Sequence, residues 1–295
     1  EISACLVGSE MCIRDRTEKL IDYVNPFVGT DGYGNVYPGA QIPFGGIQMS
    51  PDTDSKYYDA ASGYKYNHST LLGFSLTHLS GTGIPDLGDF LFIPGTGEMK
   101  LDPGTREEPE KGYRSRYSHE KEWASPNYYA VELSDYGVKA EMTSGVRSGM
   151  FRFTYPQSDK AFIMIDMNHT LWQSCEWANL RMENDSTITG YKLVKGWGPE
   201  RHIYFTATFS KKLTGLRFMQ NKKPVIYNTS RFRSSYEAWG KNLMACISFD
   251  TKAGEEVIVK TAISSVSTNG AKNNMAELAG LAFDELKAKG EALWE

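Results

Sequence analysis

From Tyr128 onward the chain alternates between short apolar runs and turn signals. Tyr128–Leu133, Val138–Met142, Gly149–Tyr155 and Ala161–Met167 are rich in apolar, β-branched or aromatic residues. Asp135-Tyr136-Gly137, Gly145 and Pro156-Gln157-Ser158-Asp159 separate them. The pattern resumes at Thr187–Val194, His202–Phe209, Leu243–Phe249 and Glu256–Ile263, with Asn184-Asp185 and Lys252-Ala253-Gly254 as turns. Strands at roughly 8–12-residue spacing with turns between them predict an antiparallel sandwich. No helical period of useful length precedes about residue 270. Beyond it, Met275, Leu278, Ala279, Ala282, Phe283 and Leu286 fall at helical spacing, with Asn273 or Asn274 as cap and Gly280 and Gly290 as weak points. The fold class is mainly β: a large antiparallel β-sandwich with a C-terminal helix. That helix has a broad apolar face that calls for a cover, so we expect Glu295 to be a truncation point.

The first third reads differently. Asn25 to Thr30 is a strand-like entry into Gly32-Tyr33-Gly34-Asn35, a loop with no phosphate-binding pattern. Pro43 to Thr53 is a turn-bounded strand, and Tyr57 to Tyr66 gathers aromatics around Asp59 and Gly63. The stretch Gly73 to Phe92 places the polar loop Thr77-His78-Leu79-Ser80-Gly81-Thr82-Gly83 between two apolar segments. Glycines admit close approach of a ligand, and hydroxyls and imidazole give directional hydrogen bonds. Two readings stand for such loops: a ligand-facing surface, or a tight connection whose polar groups bond one another. From about Asp102 to Trp123 the chain is a charged surface excursion.

Composition narrows the function. The 295 residues are 40% hydrophobic and 23% charged, an ordinary soluble globular balance. A net charge of -4 argues against non-specific nucleic-acid binding. No run approaches the roughly 18 apolar residues of a membrane span. Aromatic content of 13%, with 17 Tyr and 6 Trp, suits sugar stacking as well as strand cores. Residues Cys5 to Arg16 resemble the conceptual translation of a sequencing adaptor, so we set residues 1–16 aside from the fold. That leaves Cys175 and Cys246, which form neither a disulfide framework nor a zinc pattern. The 5 histidines show no metal-ligand spacing, and there is no Gly-x-Ser-x-Gly elbow.

Asn25-Pro26-Phe27-Val28-Gly29-Thr30, Tyr37-Pro38-Gly39-Ala40, Pro43-Phe44-Gly45, Ser50-Pro51-Asp52-Thr53, Ser62-Gly63-Tyr64 and His78-Leu79-Ser80-Gly81-Thr82-Gly83 follow one another in order. Together they resemble the N-terminal domain of glycoside hydrolase family 92, and the resemblance runs from Leu20 to Glu295. It implies a calcium-dependent exo-acting α-mannosidase, many members being specific for α-1,2 linkages. It implies a supersandwich-like N-terminal domain and a C-terminal (α/α)6 barrel, with the active site between them. The barrel would carry the general acid, the general base and calcium, so no catalytic or metal residue is assigned here. Inversion needs two carboxyls roughly 6.5–9.5 Å apart, and calcium would hold sugar hydroxyls.

The resemblance carries over substrate contacts. Tyr58 stands where many members have tryptophan and would stack on the sugar, with Asp59, Ser62 and Gly63 shaping its loop. Gly32 and Tyr33 lie in a loop that departs from a common histidine-bearing version. His78, Ser80, Gly81, Thr82 and Gly83 match the family pattern. Arg147 and Trp197 are further candidates, with a buried ion partner and a core aromatic as their structural alternatives. The expected domains are a sandwich over 17–270 and a linker helix over 271–295 that starts a truncated catalytic domain. The expected partners are a mannose-containing oligosaccharide and the missing barrel, and the expected location is periplasmic or extracellular. The expected function is completion of a mannosidase site, the fragment alone being inactive; a stand-alone carbohydrate-binding module and a purely structural sandwich are the alternatives.

Overall fold

The computed structural model describes residues 19–55, 58–225 and 236–295. The adaptor-like residues 1–16 lie outside these. The first strands are β1 (Ser50–Asp52), β2 (Thr70–Leu71), β3 (Gly73–Ser75), β4 (Leu91–Thr96), β5 (Ser115–Arg116) and β6 (Glu122–Ser125). Then come β7 (Tyr128–Leu133), β8 (Val138–Ser144), β9 (Ser148–Tyr155), β10 (Ser158–Asp166), β11 (Ser174–Asn184) and β12 (Thr187–Lys195). The last are β13 (Arg201–Phe209), β14 (Gly215–Gln220), β15 (Lys223–Pro224), β16 (Tyr236–Gly240), β17 (Leu243–Thr251) and β18 (Glu255–Ser264). Helices α1 (Thr268–Asn274) and α2 (Phe283–Trp294) close the chain.

Two antiparallel sheets form the body. A 7-stranded sheet has the order β1-β3-β4-β10-β17-β14-β15, and a 9-stranded sheet the order β16-β11-β12-β13-β18-β9-β8-β7-β6. Period-2 alternation puts one face of each sheet into a shared core. Ile163 and Ile165 of β10, Phe92 of β4 and Ile247 of β17 meet Phe151 and Phe153 of β9 and Phe205 of β13 there. Phe205 packs on Phe90 at 4.5 Å between ring centroids. Complete burial of such a side chain stabilises by about 1.5–3 kcal/mol.

Strand β10 reads as a continuous apolar run because both of its faces are covered. Its other face puts Phe162 and Met164 against Leu91, Ile93, Met244 and Cys246, beneath Tyr113 from the charged excursion. The excursion is therefore anchored at its middle, although its ends are solvated. Cys246 is buried and Cys175 half-buried, both as free thiols.

Four expectations change. Asn25 to Thr30 forms turns, because the Asn25 carboxamide oxygen accepts the Phe27 N–H at 3.0 Å and closes an Asx turn. Ser174–Asn184 and two further strands, β14 and β16, carry no clean alternation and were not expected. The terminal helix is two helices, broken at Gly280 with φ +72. Ser267 caps α1 by accepting the Gly270 N–H at 3.0 Å, upstream of the expected asparagines.

The helices lie against the outer face of the 9-stranded sheet. Leu278, Phe283 and Leu286 cluster with Met150. Arg152 bonds Glu141 on the neighbouring strand at 2.9 Å and Asp284 of α2 at 3.0 Å. The Glu277 carboxylate accepts the N–H groups of Val146 and Arg147 at 2.5 and 3.2 Å and the Ser148 hydroxyl at 2.6 Å.

Candidate functional site

Three loops from the first third meet at one end of the sandwich. In the first, Gly29 and Gly32 have φ of +85 and +59. A Cβ on Gly34 would lie 2.1 Å from the Gly29 carbonyl, so the turn closes only around glycine. It delivers Asn35, also left-handed at φ 52. The Asn35 carbonyl accepts the Ser62 hydroxyl from the second loop and the Gly81 N–H, at 2.8 Å, from the third. One backbone oxygen thus ties all three loops together. Tyr58 sits in a one-turn helix, Tyr58–Ala60. A Cβ on Gly83 would stand 3.9 Å from the Tyr58 hydroxyl and 3.7 Å from the Asn35 amide nitrogen.

The predicted residues separate into two layers. Tyr33 is 99% exposed and Tyr58 58% exposed. Ser80, Gly81, Thr82 and Gly83 are also exposed. Ser62, Gly63 and His78 are buried beneath them. The Asp59 side chain lies outside the described part of the structure. Arg147 stands apart, exposed in the β8–β9 hairpin that Glu277 holds. Trp197 is exposed at the β12–β13 hairpin, which Arg201 of the same hairpin ties to Asp89 at 2.6 Å. Neither structural alternative for these two residues applies, since neither is buried.

His78 is occupied on both ring nitrogens. Nδ1 donates to the Gln48 carbonyl at 2.8 Å, and Nε2 donates to Asp52 at 2.7 Å. The second Asp52 oxygen is 2.7 Å from Nε2 of His169. Burial alone would raise the Asp52 carboxyl, but the electrostatic pull of the facing His78 and the hydrogen bonds of both imidazoles outweigh it. They hold this acid well below the usual carboxylate range. Gly63 packs directly on the group: a Cβ there would meet the Asp52 oxygen at 2.0 Å.

A second buried acid continues the network. Asp89 accepts from Arg201 at 2.6 Å and from the Thr77 hydroxyl at 2.7 Å, with the Lys192 ammonium at 3.4 Å. Burial raises its carboxyl, yet Lys192 and then Arg201 outweigh burial and hold it down at about 2. Lys192 also donates to the His169 carbonyl at 2.5 Å. Polar contacts therefore run from Gln48 through His78, Asp52, His169 and Lys192 to Asp89. Sequence reasoning missed Asp52, His169 and Lys192, because their partners lie far away along the chain.

Among the described residues, no group of three or more His, Cys, Asp or Glu side chains is arranged to hold a metal ion. The described residues therefore offer no carboxylate cluster that fits calcium.

Residues 23–264 match the Glycosyl hydrolase family 92 N-terminal domain. The chain is 90% identical, with a TM-score of 0.92, to a family GH92 α-mannosidase of Bacteroides thetaiotaomicron solved in complex with mannoimidazole. It covers 94% of this chain and 36% of that one. A family GH92 inverting mannosidase of the same organism matches at 24% identity, with a TM-score of 0.78 and coverage of 95% and 36%, which shows the shared fold. An uncharacterized secreted glycosidase of Arthroderma benhamiae is 29% identical over 141 residues, 48% of this chain and 18% of that protein. The chain thus spans little more than a third of the length of the mannosidases it matches. With its sandwich, its ordered glycine loops and this match across most of its length, the chain belongs to glycoside hydrolase family 92 and holds that family's N-terminal domain.

Proposed function

We propose that this domain completes the substrate site of an inverting, calcium-dependent exo-α-mannosidase acting on α-1,2-linked mannose. The observation that carries the reading is the meeting of three loops on the Asn35 carbonyl, with Tyr58 and the Ser80–Gly83 segment presented outward. Tyr58 stacks on the terminal mannose, and the exposed hydroxyls of Ser80 and Thr82 bond its hydroxyls. Ser62, Gly63 and His78 act as positioning residues, holding the loops from below. The general acid, the general base and calcium belong to the remaining length of the longer enzyme, so the domain alone releases no mannose. The 90% identity to a mannosidase that binds mannoimidazole supports this substrate class. The secreted relative supports a location outside the cytoplasm, extracellular or periplasmic.

The test is a chimera. The chain alone, with calcium and α-1,2-mannobiose, is expected to give no free mannose. Joined to the remaining length of the 90% identical mannosidase, it is expected to turn over. Tyr58→Ala in that chimera is expected to lower kcat/KM by about 2- to 10-fold, as loss of a stacking contact of about 0.5–1.5 kcal/mol requires. Unchanged turnover by this variant would refute the contact, and mannose release by the chain alone would refute the division of labour.

A further inference from the structure

The 7-stranded sheet carries a second concavity, on the face turned away from the shared core. Strand β10 ends at Asp166, whose register partner on β17 is Met244. Met244 is in turn paired with Met219 of β14. The three residues form one cross-strand row, a floor with an acid at one end and apolar thioethers beyond it. Tyr113 packs in the apolar cluster on this face, in which Met244 is buried and against which Met219 is half-buried. The result is a cleft of about 830 Å3. That volume falls within the range of about 300–1,000 Å3 typical of small-ligand sites.

The polar groups around this floor are fixed. Asp166 is 7% exposed. It accepts the Tyr113 hydroxyl at 3.0 Å, and the Asn168 N–H and side-chain amide at 2.8 and 3.2 Å. A carboxylate offers about four acceptor positions, so Asp166 can accept one bond more. On the opposite wall Asn242 donates to Asn221 at 2.8 Å, and this amide pair offers both polarities. The Lys222 ammonium at the mouth is paired with Asp102 at 2.5 Å. With that cation neutralised and a carboxylate in the floor, the cleft suits a neutral ligand rich in hydroxyls.

The aromatic partner is Trp172. It is 58% exposed and has φ +67, a conformation that a bulky residue rarely adopts. Its N–H donates to the Ser55 carbonyl at 3.2 Å, and the preceding N–H of Leu171 donates to the Leu87 carbonyl at 2.9 Å. The Thr170 hydroxyl closes the same turn by donating to the Gln173 carbonyl at 2.8 Å. A strained backbone held by this many bonds to show an indole to solvent is the kind of outlier that marks a binding site.

We propose that this cleft is a second carbohydrate-binding site that takes a neutral disaccharide. One ring lays its C–H face on Trp172, and the hydroxyls bond Asp166, Asn168 and the Asn221–Asn242 pair. The proposal does not rest on the mannosidase reading, since none of the residues given a sugar contact there lines this cleft, His169 of the buried network being the residue the two share.

The test is calorimetric titration of the chain with α-1,2-mannobiose, maltose and cellobiose. At least one is expected to bind with a Kd on the order of 1 mM or tighter, a weak affinity suited to one stacked ring. Trp172→Ala is expected to weaken that binding at least tenfold. Asn242→Gly removes an amide while suiting the native φ of 57, and is expected to weaken it about threefold. Trp123→Ala, at an exposed position on β6 of the other sheet, is expected to leave it unchanged. Circular dichroism checks each fold, and if Trp172→Ala does not fold, Asn242→Gly decides. The proposal is overturned if none of the three sugars binds at about 10 mM, if Trp172→Ala or Asn242→Gly folds and binds normally, or if Trp123→Ala also abolishes binding.

Discussion

Gly63→Ala and Gly32→Ala are the same chemical change at two left-handed positions, and they should differ widely in cost. Gly63 has φ +86 and Gly32 φ +59, so both alanines incur backbone strain of about 1–2 kcal/mol. Around Gly32 there is nothing within 4 Å of the added Cβ. At Gly63 the Cβ would lie 2.0 Å from an Asp52 oxygen and 3.2 Å from the His78 ring. Asp52 cannot retreat, because both its oxygens are held at 2.7 Å by His78 and His169 in a fully buried site. Moving it weakens two charge-assisted hydrogen bonds worth about 1.5–3 kcal/mol each. Gly63→Ala should therefore cost about 3 kcal/mol more than Gly32→Ala. At about 2–4 °C per kcal/mol for a domain of this class, the two Tm values should lie about 6–12 °C apart. Thermal melts at pH 7, followed by circular dichroism, read this directly. Melts within about 2 °C of each other would mean that the Asp52 group yields freely, and the account of a rigid base beneath the loops would fail.

Three further outcomes follow from the same contacts. Asp89 has its carboxyl held at about 2, below its unfolded value, so its stabilisation is present above about pH 4 and fades as pH falls toward 2. Urea melts of the native chain should lose about 2 kcal/mol across that window; Asp89→Asn should be flatter there and about 3–5 kcal/mol less stable at pH 7, with Lys192 left buried without its acid. Phe205→Ala empties a site 0% exposed between the sheets and should cost about 3–5 kcal/mol, measured by the same melts. Glu277→Ala leaves the N–H groups of Val146 and Arg147 and the Ser148 hydroxyl without their acceptor. It should cost about 1–3 kcal/mol and speed amide exchange at Val146 and Arg147.

The strands legible in the sequence were those with one wet and one dry face, or with both faces dry. Val138–Ser144 and Glu255–Ser264 announce themselves by period 2 and by glycine turns such as Gly254 at φ +76. Strand β11 hides because it puts Trp177 on its exposed face and breaks register between Cys175 and Trp177. The glycine loops were equally visible, because only glycine closes a turn such as the one at Gly34. What the composition of the loop at His78 could not tell is which polar groups face outward. Ser80 is exposed and His78 is buried within the same loop, and the difference is made by Gln48 and Asp52, residues on another segment. A histidine turns inward when acceptors wait for it, and those acceptors are a property of the tertiary structure.

The start and the end of the described chain are joined. The Glu295 carboxylate accepts the N–H groups of Leu20 and Ile21 at 2.9 and 3.2 Å, and the Trp294 indole donates to the Gln41 carbonyl at 2.7 Å. Tension applied between these ends would therefore bypass the sandwich. It would act first on a short seam of hydrogen bonds loaded one after another, like the teeth of a zip, while the strand ladders stay slack. The sheets would carry load only after that seam had parted. Pulling on Leu20 against Glu295 would thus test that seam before it tested the sheets.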